Sequence, residues 1–353
     1  MSRARSIGAF AFVLVSVLLL TMLIALPALA SRLAQQTGDA PAWLPDLLSF
    51  SERFTQWFLV VFVVAWVFFL GATFASFLNV VAWRVPRGRG ILGSSHCPNC
   101  DIKLTFKDNI PIVGWLKNGG QCSSCNTSIT VRYLLVEIVL GSIFLHIATM
   151  VIASGGAILP FRDPEKLSHW HSLIFDPNLD LLQIIVFLWL LMLAMYTFAL
   201  IEIDWLKIPI SVWLTGAVFG IGIAAIWPSV QLVDWHFPLQ LQFDDSMLNR
   251  YLFVAIHTIC GLLTGLLLGW FMDQCKYLSD QPNSFMIGAS MVGIFLGWQS
   301  ALIVACIASS LMLISPGARS ANSVTRNLMR SPHANMSAAT LIHLITWRWM
   351  NFV

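Results

Sequence analysis

Along most of this chain apolar residues run unbroken for twenty positions or more, with polar residues gathered into a few connecting stretches. A bilayer core needs about twenty apolar residues per helix. The pattern predicts spans at roughly Ile7–Ala30, Trp57–Trp83, Leu134–Ala153, Leu181–Ile203, Ile208–Trp227 and Tyr251–Met272. The run Phe285–Ile314 is too long for one upright helix. Gly297-Trp298 interrupts it, so it reads as two short helices, Phe285–Leu296 and Gln299–Ile314. A weak amphipathic stretch, Ala338–Met350, ends the chain. The expected fold is an all-α polytopic membrane protein of seven or eight spans. Tryptophans at the predicted ends, such as Trp57, Trp83, Trp205 and Trp227, suit interfacial anchors.

Composition agrees with the pattern. The 353 residues are 58% hydrophobic and only 10% charged, where soluble domains are about a quarter charged. The net charge of +3 arises from lysines and arginines clustered in loops. That clustering speaks to topology rather than to nucleic acid, which is not expected as a partner. Arg84–Arg132 carries seven basic residues against Asp101 and Asp108, and should be cytoplasmic. Ser154–Asp180 and Pro228–Asn249 should face outward, and the segment after Ile314 should return to the cytoplasm. The first span ends in Ala28-Leu29-Ala30-Ser31. It reads either as an uncleaved anchor or as a signal peptide; both put Ser31–Gln56 outside. The expected division is therefore 1–56 anchor or signal with an outer loop, 57–83 a span, 84–133 a cysteine domain, 134–314 a helical membrane domain and 315–353 a cytoplasmic tail.

The strongest chemical signal lies in 84–133. Cys97-Pro98-Asn99-Cys100 and Cys122-Ser123-Ser124-Cys125 are two C-x-x-C pairs. Such pairs about twenty residues apart can close a tetrahedral structural zinc site. The alternative is a set of unligated or redox-active thiols.

Several motifs resemble the prepilin leader peptidase family, the type IV prepilin peptidase/N-methyltransferases. Ser76-Phe77-Leu78-Asn79-Val80-Val81 followed by Arg84-Val85-Pro86 resembles the family's opening segment G-S-F-L-N-V-V-x-x-R-L-P. The cysteine loop with its internal Asp108-Asn109-Ile110-Pro111-Ile112-Val113-Gly114-Trp115-Leu116 resembles the family's cytoplasmic insert. Arg132-Tyr133-Leu134-Leu135-Val136-Glu137 resembles R-Y-P-L-V-E. The resemblance implies a bacterial inner-membrane aspartic endopeptidase that cuts leaders from type IV prepilins and pseudopilins. Its partners would be their N-terminal helices and the lipid bilayer. For members that also methylate, it implies S-adenosylmethionine. Glu137 reads as a remnant of the methyl-donor site or as a partner of Arg132.

The catalytic half departs from the family. The first catalytic aspartate precedes a proline by seven residues in I-D-x-x-x-x-x-x-P-D; here Ile201-Glu202 precedes Pro209, with Asp204 at a secondary acidic position and Ile210 in place of the last aspartate. The second belongs to G-x-G-D-x-K upstream of L-G-W-Q. Counting back from Leu296-Gly297-Trp298-Gln299 puts Phe285 at the aspartate and Ile287 at the lysine. An aspartic protease needs two carboxyl groups sharing a proton. The candidates left are Glu202, Asp204 and, if its loop refolds, Asp280. Two expectations stay open: an enzyme acting on prepilin-like substrates, or a non-catalytic homologue that binds such helices or scaffolds a pilus or secretion assembly.

Overall fold

The computed structural model describes residues 50–97, 99–156, 158–159, 177–231, 247–274, 283–314 and 331–350. The expected first span, most of the outward loops and Asp280 lie outside these residues. Eight helices are described: α1 (Phe50–Arg84), a short α2 (Val113–Lys117), α3 (Arg132–Ala153), α4 (Leu179–Ile203), α5 (Ile210–Ile226), α6 (Met247–Asp273), α7 (Ser284–Ile314) and α8 (Pro332–Met350). Five contain segments long and apolar enough to cross a membrane: Phe58–Arg87, Arg132–Ala153, Leu179–Ile203, Tyr251–Asp273 and Ser284–Met312. α5 is shorter but equally apolar. The protein is thus a multi-pass helical membrane protein, as the hydrophobic runs predict.

Helices in a bilayer gain little from burying apolar surface against each other. They associate through close packing and internal hydrogen bonds. The core shows both. α4 lies in the middle, where Phe187, Leu188, Leu191, Met192 and Phe198 are almost wholly buried. Its Trp189 stacks on Phe144 of α3 with centroids 4.6 Å apart and donates Nε1–H to the Phe144 carbonyl at 3.0 Å. Tyr196 donates its hydroxyl to the Val136 carbonyl at 3.2 Å. α6 and α7 pack most tightly: a Cβ at Gly261 or Gly265 would lie 2.0 or 2.3 Å from a backbone oxygen of α7, so only glycine allows this approach.

α7 breaks where the sequence indicates. Gly297 has φ 84° and ψ 178°, a conformation open in practice only to glycine. The break lets one continuous run turn inside the bundle.

The C-terminal stretch differs from its expected form. It begins as a helix at Pro332, six residues before the amphipathic stretch, and packs along α7 and α4. His333, Met336, Ala339, Thr340 and His343 on it are fully buried. Ser331-Pro332 explains the start, since serine caps a helix and proline suits its first position.

Candidate functional site

The cysteine pairs form two matching knuckles. In the first, the Cys97 amide bonds the Ile102 carbonyl at 3.0 Å and the Asp101 amide returns to the Cys97 carbonyl. In the second, the Cys122 amide bonds the Thr127 carbonyl at 2.9 Å and the Asn126 amide returns to Cys122. Asp101 and Asn126 sit at φ 54° and 55°, and Asp and Asn tolerate this left-handed conformation better than other side chains. The turns bring all four sulfurs within 4.8 Å of one another, with Cys97 and Cys125 at 3.8 Å and Cys100 and Cys122 at 4.0 Å. Four thiolates bound at about 2.3 Å around one ion stand about 3.8 Å apart, so the cluster could hold a metal ion. The Thr127 hydroxyl and amide and the Asn99 side chain pull the Cys125 thiol down to about 5, while burial and the facing sulfurs push Cys100 up.

The Asp108–Leu116 motif fastens this domain to the bundle. Asp108 accepts from the Thr105 amide and hydroxyl and from Asn118. These contacts, the Thr105 hydroxyl foremost, hold its carboxyl below the usual value of 3.8. Ile112 has φ 64° and ψ −55° in a tight turn closed by Val113 N–H to the Pro111 carbonyl at 2.6 Å. A branched residue there is strained. The turn aims the Ile112 amide at Oε2 of the buried Glu137, 2.6 Å away.

Glu137 therefore does not pair with Arg132. Arg132 instead makes a two-pronged salt bridge to Asp204 at the end of α4. This also removes Asp204 as a partner for Glu202: its two oxygens face a guanidinium, and the turn at Trp205 (φ 59°) follows it.

Glu202 is enclosed, with 5% of its surface exposed. Ser284 at the start of α7 donates to Oε1 at 2.7 Å. Ser331 and the His333 amide at the start of α8 donate to Oε2, the latter at 3.0 Å. The His333 Nδ1 also lies 3.0 Å from Oε2. Phe285, which the motif count from Leu296-Gly297-Trp298-Gln299 sets at the second acidic position, is fully buried. A carboxylate nevertheless stands at this helix end. Asp273, the last residue of α6, accepts from the Phe285 and Met286 amides at 3.0 and 3.1 Å. The sequence pattern did not single out Ser284, Ser331, His333 or Asp273. The Ser-Pro helix start at 331–332 was the available signal.

Comparison with known proteins agrees with these motifs. The profile described as "Bacterial Peptidase A24 N-terminal domain" matches residues 69–151. A prepilin leader peptidase/N-methyltransferase of Myxococcus xanthus is 28% identical over 295 residues, 80% of this chain and 71% of that protein. The chain is thus similar to prepilin leader peptidases, most specifically over residues 69–151. A type 4 prepilin-like proteins leader peptide-processing enzyme of Escherichia coli is 35% identical over 107 residues, and a prepilin leader peptidase/N-methyltransferase of Neisseria gonorrhoeae 34% over 119. The chain spans only 40% and 42% of these two proteins' lengths. No solved structure matches it.

Proposed function

We propose that this chain is a prepilin leader peptidase homologue that receives the hydrophobic N-terminal helices of prepilin-like proteins in the bacterial inner membrane without cutting them. The supporting observation is the state of Glu202. Its two oxygens are taken up by Ser284, Ser331 and His333, and Phe285 fills the second acidic position. A general base must reach a water and a scissile carbonyl. A carboxylate saturated by its own fold does neither. The cysteine domain, with zinc at Cys97, Cys100, Cys122 and Cys125, would be a structural cap on the cytoplasmic side. Photo-crosslinking a prepilin-like peptide carrying its leader and first helix to the full chain in vesicles tests this. Capture without leader loss is expected; no capture would overturn the binding role.

One observation favours a second reading, in which the chain cleaves and, with S-adenosylmethionine, methylates its substrate. Asp273 supplies a carboxylate at the helix end where Phe285 has none. Leader cleavage that disappears in Asp273→Asn and in Glu202→Gln would establish it.

A further inference from the structure

The end of α1 holds a cationic arrangement that the account above does not use. The candidate span closes at Arg87. There the chain makes a single tight turn: Val85–Arg87 forms one 3₁₀ turn containing Pro86, and Gly88 takes the left-handed conformation at φ 67°. Its amide bonds the Val85 carbonyl, and the Arg89 amide bonds the Arg84 carbonyl at 3.0 Å. A residue with a Cβ would resist this reversal. The reversal carries Arg89 back over the helix it has just left. As a result two guanidinium groups share one indole: Arg87 lies 5.1 Å and Arg89 4.8 Å from the Trp83 ring.

Both guanidiniums are drawn to one exposed ring. Among the described residues neither guanidinium has a carboxylate partner. Only one of their contacts is a protein hydrogen bond, Arg87 Nη1–H to the Trp83 carbonyl at 2.7 Å. Arg89 keeps its donors free among these residues. A second observation gives the surroundings. Arg84 folds the next stretch back by donating to the carbonyls of Ile91, Leu92 and Ser94. This leaves Leu92 91% exposed and Ile91 44% exposed beside the end of a membrane span. Bare apolar side chains next to paired guanidiniums suit the boundary where acyl chains meet headgroups.

We propose that Trp83, Arg87 and Arg89 form a binding site for the phosphate of an anionic phospholipid. The two guanidiniums close on the phosphate oxygens through charge-assisted hydrogen bonds. The indole holds both arginines at the interface, and Ile91 and Leu92 lie against the acyl chains.

Native mass spectrometry of the full chain in uncharged detergent tests this. The protein is titrated with phosphatidylglycerol, with phosphatidylcholine of the same acyl chains, and with phosphatidylglycerol in the presence of inorganic phosphate. Preferential retention of one phosphatidylglycerol is expected, weakened roughly thirtyfold in R87Q/R89Q at about one charge-step per arginine. The matched variant K103Q/K107Q, which removes the same charge elsewhere in the loop, should retain it. Equal retention of the two lipids, or equal weakening in both variants, would overturn the site. Displacement of the lipid by inorganic phosphate at comparable concentration would overturn the lipid assignment in favour of a free anion.

Discussion

Glu202→Ala should unfold the end of the bundle where α4, α7 and α8 meet before it does anything else. The substitution removes the acceptor for two hydroxyls and one amide, and leaves His333 with its Nδ1 facing nothing. All the groups concerned are buried: Glu202 5% exposed, Ser284 3%, Ser331 4% and His333 0%. Hydrogen bonds to a charged group are worth about 1.5–3 kcal/mol each, and a buried donor left alone costs about 1–3 kcal/mol. These contributions overlap within one network, so they do not add in full. About 3 kcal/mol, the cost of leaving buried donors without their acceptor, is the appropriate scale. Glu202→Gln keeps the shape and one acceptor oxygen and should cost about half as much. Reversible unfolding in mixed micelles gives the free energies. Protease exposure of 283–286 and 331–334 should rise first, because both helix starts hang on this one side chain. If Glu202→Ala unfolds within about 0.5 kcal/mol of the parent, the carboxylate is not a structural tie, and the argument for an enclosed, non-catalytic site fails.

Other expectations follow from the same structure. Purified reduced protein should carry about one zinc per chain by elemental analysis, and Cys97→Ser with Cys100→Ser should release it and open 84–132 to protease; metal-free native protein would refute the zinc site. Gly265→Leu should part α6 from α7, because a Cβ there meets the Ala289 carbonyl oxygen at 2.3 Å; a destabilisation of at least about 3 kcal/mol is expected, and a neutral result would contradict the packing. The Asp108 carboxyl is lowered by folding, so its contribution is complete above the ordinary value of 3.8 and is lost as pH falls through the lower folded value. Hydrogen exchange at 105–118 should therefore quicken only below about pH 4, and Asp108→Asn should show the faster exchange already at neutral pH. A cysteine placed at Lys117 should resist an impermeant reagent in intact cells while one at His171 or Asp244 reacts; labelling at 117 would invert the topology.

The hydrophobic runs located the described spans to within a few residues, because a bilayer imposes length and apolarity directly on sequence; only the α1 helix runs further, starting at Phe50 before its span at Phe58. The Gly297 break was legible because a thirty-residue run must bend somewhere and glycine bends most readily. The cysteine knuckles were legible because a shared ion demands fixed spacing. What surrounds Glu202 was not. Ser331 and His333 are 129 and 131 residues away along the chain, in a stretch whose polar residues resemble a tail. Only the packing of α8 against α7 and α4 turns those polar residues inward. The pairing of Arg132 with Asp204 and of Glu137 with the Ile112 amide was equally hidden. The first depends on how α3 packs against α4 and the second on how the cysteine domain sits on α3, which no local pattern encodes. Asp273 looked like an ordinary acid at a span end, and became notable only when its oxygens met the first amides of α7.

The most direct test of the central claim is leader cleavage by the unmodified chain in membranes with a prepilin substrate. No cleavage is expected, because Glu202 is held by its own fold and Phe285 supplies no second carboxyl. Glu202→Asp together with Phe285→Asp should restore weak cleavage, with neither change sufficient alone. Robust cleavage by the unmodified chain, abolished by Glu202→Gln, would contradict the account.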